Sequence, residues 1–257
     1  MRKQEPHALI INGDDFGGSS RINHAIIDSF RRNLISSATI MANMPGFEEA
    51  CEMTHAIGIN GRIGVHLTLT EGYPLTDMIR RCPRLCDADG KFRGKSGNIW
   101  HLSPNETQAV ERELAAQVDA VIAKGINPTH FDSHQHVHTF WPISAIVIRL
   151  AQAYCIRAIR LTRNCGLGLG SLKRLYKIIL NKRLARAGLA YTRFFGSALD
   201  AKSMIRLSGP LEIMVHPAFD KEGGLIDITS GTERLEEVAN WWKDKYVLTN
   251  YGELRLC

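Results

Sequence analysis

What most constrains this chain is an alternation. Short apolar runs with a period of two repeatedly give way to stretches with helical periodicity. The run ALIING at 8–13 reads as a first strand that ends at Asp14 and Asp15. RINHAIIDSFRRN reads as a helix, SSATIMAN as a strand, GFEEACEMTHAIG as a short helix and RIGVHLTLT as a strand with clean alternation. Residues 71–103, carrying prolines and glycines, read as a long irregular insertion. A helix follows over SPNETQAVERELAAQVDAVIAKG, capped by Ser103 or Asn105 and closed by Gly125. Then come a His-rich strand at 130–138, a helix over 142–154, IRAIRLTR and LEIMVHPAF as strands, a helix over TERLEEVANWWKDKY and a last strand in YVLTNYGELRL. Seven or eight such units in 257 residues predict an α/β chain folded as a single-domain, irregular (β/α) barrel. No internal repeat or interdomain linker divides it, so the expectation is one domain over 1–257.

In such barrels the chemistry gathers at the carboxyl ends of the strands. Asp14, Asp15, His134 and His216 fall at those ends, with His66 slightly further inside its strand. The densest cluster is HFDSHQHVH, which holds four of the chain's ten histidines. In an extended strand side chains alternate, so Asp132, His134, His136 and His138 are expected on one face. Singly, each feature has a plain structural reading. An Asp pair at a strand end commonly caps a helix, a lone buried histidine is commonly hydrogen-bonded in a core, and a histidine before a proline can simply close a strand. Together they form an Asp-plus-imidazole set drawn from separate strands, a donor set suited to zinc, nickel, cobalt or manganese. Adjacent carboxylates at a turn can also diverge in role, one holding a metal and the other acting as a base.

Four motifs carry a family resemblance: NGDDFG at 12–17, GVHLTL at 64–69, THFDSHQHVH at 129–138 and EIMVHPAF at 212–219. In order and spacing they resemble the YdjC-like carbohydrate deacetylases, a group that includes chitooligosaccharide deacetylases and deacetylase-like proteins of hopanoid gene clusters. The visible departure is Gly13, where the family commonly has Ala. The resemblance implies a barrel related to the polysaccharide deacetylases and removal of N-acetyl groups from amino sugars. It implies Asp15, His66 and His134 as ligands of one divalent metal ion, magnesium or zinc. Asp14 would be the general base and His216 the acid that protonates the leaving amine. Asp132, His136 and His138 would line the pocket or orient the ligands. No organic cofactor is expected, and a homodimer is compatible with the resemblance.

The remaining features bound partners and address. The cysteines are scattered, and no apolar run is long enough for a membrane span or secretory core, which points to the cytoplasm. The net charge of +6 becomes −1 once seven cations between Ser171 and Arg193 are set aside: Lys173, Arg174, Lys177, Lys182, Arg183, Arg186 and Arg193. That stretch contains no acid, so the basicity is a local patch around a helical segment at 171–188. Leu172, Leu175, Tyr176, Ile179 and Leu180 are expected to form its apolar stripe. One reading packs the stripe on the barrel. The other places the segment on an anionic membrane surface, peripheral at its inner face, or on a lipid- or nucleotide-linked sugar. CGLGLG at 165–170 lacks the spacing of a phosphate loop, and the patch lacks the interleaved aromatics of a nucleic-acid site. The competing functional readings are another metal-dependent hydrolase, such as a phosphoesterase or amidohydrolase, and a non-catalytic metal-containing glycan- or lipid-binding protein.

Overall fold

The computed structural model describes residues 7–94, 99–166, 170–204, 207–230 and 233–254. Its strands are β1 (His7–Phe16), β2 (Ser37–Ile40), β3 (Ile63–Leu67), β4 (His130–Ser133), β5 (Ala158–Ile159), β6 (Phe194–Ser197), β7 (Leu211–Val215), β8 (Pro217–Phe219), β9 (Leu225–Asp227), β10 (Glu233–Arg234) and β11 (Tyr246–Leu248). Between them lie α1 (Ser20–Arg31), α2 (Phe47–Ala56), α3 (Asp77–Arg80), α4 (Pro104–Ala123), α5 (Trp141–Ala153), α6 (Ser171–Ala185), α7 (Ala198–Lys202) and α8 (Leu235–Trp242). The main sheet runs β5-β4-β3-β2-β1-β7-β6, with β11 joined to the start of β1, and every pairing in it is parallel. Parallel strands need covering on both faces. Ile10, Ile11, Ile63, Val65, Phe131, Ile159, Ile213 and Val215 are accordingly all buried.

The sheet is curled into an incomplete barrel. IRAIRLTR contributes only the two residues of β5 to regular pairing. The seam between β5 and β6 is bridged by one parallel pair, Ala158 with Ala190, and by the Asn164 and Cys165 amides donating to the Phe195 carbonyl. β8, β9 and β10 form a separate antiparallel sheet beside the end of β7. Among the described residues no helix is long and apolar enough to cross a membrane.

Helix α4 anchors the strand ends on its side. Ser103 and Glu106 form the reciprocal capping box that starts it, and Gly125, at φ +74°, turns the chain out of it. The buried Gln117 of α4 clasps Thr68, just past β3, accepting from its amide at 2.8 Å and donating to its carbonyl at 2.7 Å. Glu113, one turn earlier, receives the Leu75 and Thr76 amides. The insertion after β3 is therefore tied down where it leaves the barrel.

Two local expectations are corrected. The His-rich segment is a strand only to Ser133; His134–Thr139 wind into a 3-10 turn in which Gln135 and His136 both have left-handed backbones, at φ +50° and +58°. The shared strand face for His134, His136 and His138 therefore does not exist. The apolar stripe expected on α6 is also misplaced. Leu180 and Leu184 are its buried residues and Tyr176 is half-buried, while Leu172, Leu175 and Ile179 face solvent. The glycine-rich turn before α6 falls partly outside the described residues.

Candidate active site

The site begins with an irregularity in β1. Between Gly13 and Phe16 the register with β2 shifts, because three steps along β1 match two along β2. Such a bulge re-aims side chains at a strand end. Here Asp15 adopts φ +67°, a left-handed backbone that aspartate tolerates better than most residues. The two adjacent carboxylates consequently meet different partners.

Asp15 turns toward imidazoles. Its Oδ1 lies 3.1 Å from Nε2 of His66 on β3 and 2.9 Å from Nδ1 of His134, while its Oδ2 lies 3.9 Å from Nε2 of His216. Donor atoms of Asp15, His66 and His134 fall within 4.8 Å of one another. A carboxylate and two imidazoles from three strand ends suit a divalent ion that keeps open coordination positions. His66 carries the supporting contact usual for a metal-binding histidine: its Nδ1 faces Asp132 Oδ1 at 2.8 Å, leaving Nε2 on the Asp15 side. Thr39 on β2 lies 3.1 Å from the same nitrogen and donates to Asp132 Oδ2 at 3.0 Å. His134 Nε2 meets Glu71 Oε2 at 2.8 Å.

Asp14 turns the other way, into the barrel. The Arg160 guanidinium grips it with two hydrogen bonds of 2.7 Å, and Asn12 donates to its Oδ1 at 2.9 Å. Arg160, fully buried, also meets Asp132 Oδ2 at 2.5 Å and Glu212 Oε1 at 2.7 Å, and its guanidinium lies 4.8 Å from the centre of the Phe195 ring. Tyr251 donates from its hydroxyl to the other oxygen of Glu212. Three acids thus share one cation.

Charge states follow from this wiring. Burial works against ionising Asp14, but Arg160 outweighs it and holds the carboxyl well below the usual range. Burial likewise opposes ionisation of Asp15, yet the hydrogen bonds from His134 and His66 keep it well below normal. For His66 burial would favour the neutral ring, but Asp132 and Asp15 raise its pKa to about 10. Burial and Arg160 push His136 down to about 3, and burial pushes His138 far below its ordinary value. Burial lifts Glu212 to about 7 against the pull of Arg160.

Asp14, Asp15, His66, Asp132, His134 and His216 therefore converge. His216 follows β7, with Nδ1 3.1 Å from Thr229 Oγ1, and its amide donates to Asp227 at 2.9 Å. His136 packs edge-on against Phe195. His138 is fully buried, its Nδ1 2.5 Å from Ser133 Oγ, and so sits beneath the turn. The sequence reading passed over Arg160, Glu212, Glu71, Thr39 and Asp227. The second arginine of IRAIRL, just past β5, and the lone glutamate inside LEIMV are the visible signs, since a charge buried at a parallel strand requires a partner.

Fold and site together define a class: an α/β barrel protein with a carboxylate–imidazole centre at the carboxyl ends of its parallel strands. The family model for YdjC-like proteins matches residues 8–250. The chain belongs to the YdjC-like family. It is 33% identical over 236 residues to the carbohydrate deacetylase of Brevibacillus brevis, covering 90% of this chain and 89% of that protein. It is 34% identical over 225 residues to the carbohydrate deacetylase of Halalkalibacterium halodurans, covering 83% and 86%. A crystal structure from Enterococcus faecalis V583, provisionally assigned as a cellobiose-phosphate cleavage protein, shares the fold with a TM-score of 0.73, at 23% identity over 96% of this chain and 98% of that one.

Proposed function

We propose that the protein is a metal-dependent carbohydrate deacetylase that hydrolyses the N-acetyl group of an amino sugar to acetate and a free amine. The observation that carries this reading is the division of labour at Asp14–Asp15. One carboxylate joins His66 and His134 in a donor set of the right size for one ion, and its neighbour is fixed beside that set by Arg160. The carbohydrate deacetylases to which the chain is similar supply the substrate class.

In this reading Asp15, His66 and His134 hold the ion, which would polarise the acetyl oxygen and acidify water at the mouth. Asp14 is ionised and immobile, so it accepts the proton of the attacking water without reorganising. Its pairing with Arg160 draws down its basicity in exchange for that fixed position. His216, partly exposed and backed by Thr229 and Asp227, donates a proton to the departing sugar nitrogen. Without that proton the amine would be a poor leaving group. Asp132 and Glu71 orient the two histidines.

A two-metal phosphoesterase fits less well. Asp14, His66 and Asp132 form a second group with ligand atoms within 4.8 Å. The Arg160 guanidinium already lies against both of its carboxylates, so another cation there would meet a fixed positive charge.

Acetate release tests the proposal. The metal-loaded protein is offered short chitooligosaccharides and lipid- and nucleotide-linked N-acetyl sugars, with and without chelator. Chelator-sensitive acetate from at least one substrate is expected. Equal acetate with chelator would remove the metal, and none from any substrate would remove the deacetylase reading.

A further inference from the structure

The solvent side of α6 is unlike an ordinary helix surface. Leu172 is 82% exposed, Leu175 53%, Ile178 45% and Ile179 47%. At 100° per residue these four lie on the half of the helix opposite buried Leu180 and Leu184. Between them on that same outward half stand Arg174, Lys182 and Arg186. The stretch 171–193 contains no acid, and among the described residues no salt bridge joins a cation of α6 to a carboxylate. A solvated helix face carries at most scattered aliphatic side chains, whereas this one gathers four of them among cations.

The helix also borders the mouth of the barrel. Leu172, Lys173, Tyr176 and Lys177 line a groove of about 520 Å³ together with Trp100, Thr139, Phe140 and Thr162. Thr139 ends the turn that starts at His134, and Thr162 lies two residues past Arg160. Trp141, 45% exposed at the start of α5, lies under the Arg183 guanidinium, 4.3 Å from its ring centre. Aliphatic residues that enter an acyl boundary, cations that meet phosphate headgroups and a tryptophan near one edge are the composition of a helix lying in a membrane interface.

We propose that the outer face of α6 docks the protein on an anionic lipid bilayer, with the mouth of the barrel beside the membrane surface. Charge complementarity selects this occupant. An acidic protein partner would leave the four aliphatic side chains unexplained. A nucleic acid would want aromatic side chains between the cations of the outer face, where aliphatic ones stand, the aromatics lying along the groove and at the start of α5. The inference deepens the deacetylase reading by locating where that site works, though the docking itself needs only the helix.

Co-sedimentation of the full chain with phosphatidylcholine vesicles, with and without phosphatidylglycerol, tests it. Binding is expected only with phosphatidylglycerol and should weaken as salt rises. Each cation near an anionic surface is worth about fivefold in partitioning, so Arg174→Gln with Lys182→Gln should lose about 25-fold. Leu175→Gln with Ile179→Gln should abolish binding even at low salt. These side chains are solvent-facing, so the thermal melt and acetate release from a short soluble substrate should match wild type. Absence of vesicle binding, equal binding to neutral vesicles, or unchanged binding in both variants overturns the proposal. So does a dimer that either variant splits in the absence of vesicle binding, which would make the face a contact between two copies. Vesicle binding without acetate release from any sugar would instead sink the deacetylase reading and leave the docking standing.

Discussion

Arg160 is the residue on which most of the site's charge converges. It sets its single charge against Asp14, Asp132 and Glu212, all of them buried. Arg160→Met would strand three buried acids, and breaking a buried pair costs about 3–5 kcal/mol; urea unfolding should show a loss of that size. Arg160→Lys keeps the charge but loses the fork that grips Asp14 with two bonds. It should unfold closer to wild type yet release acetate far more slowly. Asp14→Asn should lower turnover by about 10²–10⁴ with metal content by elemental analysis unchanged; normal turnover would remove Asp14 as base. Asp132→Asn should weaken metal affinity by about 10–100-fold, read by competition with a chelating dye, because His66 loses the group that fixes its tautomer. At this scale the acids and imidazoles that the fold gathers together were legible in the sequence. Asp14, Asp15, His66, His134 and His216 were visible because acids and imidazoles recur at strand ends. Arg160 and Glu212 were hidden because each is a charged letter among mainly apolar neighbours, Arg160 close to a second, exposed arginine, Arg157, and their pairing spans 52 residues.

Among the elements, the turn after β4 was the least legible. Gln135 and His136 take left-handed backbones without the glycine or asparagine that normally announces them. Alternation therefore carried the strand five residues too far. The close approach of β3 to β4 can be tested directly. A Cβ on Gly64 would sit 2.5 Å from the His130 ring and 2.6 Å from its carbonyl oxygen, and that ring is stacked on Tyr251 at 3.8 Å. Gly64→Ala should therefore destabilise by about 1–3 kcal/mol, as overpacking does, and lower the melting temperature. Ser103→Ala, far from the site, should cost about 1 kcal/mol through the lost cap and leave acetate release unchanged. The capped, strongly periodic α4 was legible for the reason this test probes: its signals are local.

Across the whole molecule, the order of strands and helices followed from alternation, and so did the gathering of acids and imidazoles at one end of the barrel. The thin β5–β6 seam did not, since IRAIRLTR has the composition of a full strand and only the partner geometry shortens it. Stability of the assembled barrel should carry the signature of Glu212. Its pKa rises on folding from 4.5 to about 7, so its contribution to stability is complete below the lower value and fades as pH climbs toward the upper. Glu212→Gln should remove that component. The difference in unfolding free energy between wild type and variant should shrink or reverse as pH rises across this window, and a difference independent of pH would contradict it. The same residue links segments that lie far apart in the sequence. Tyr251 holds Glu212, Glu212 holds Arg160, and Arg160 holds Asp14. Asp14 and Tyr251, which this wiring joins, stand 237 residues apart in the sequence. On a ribosome Asp14 is therefore made long before the residue that completes its wiring, and Arg160 and Glu212 take their places around it only as the segment carrying Tyr251 follows them out.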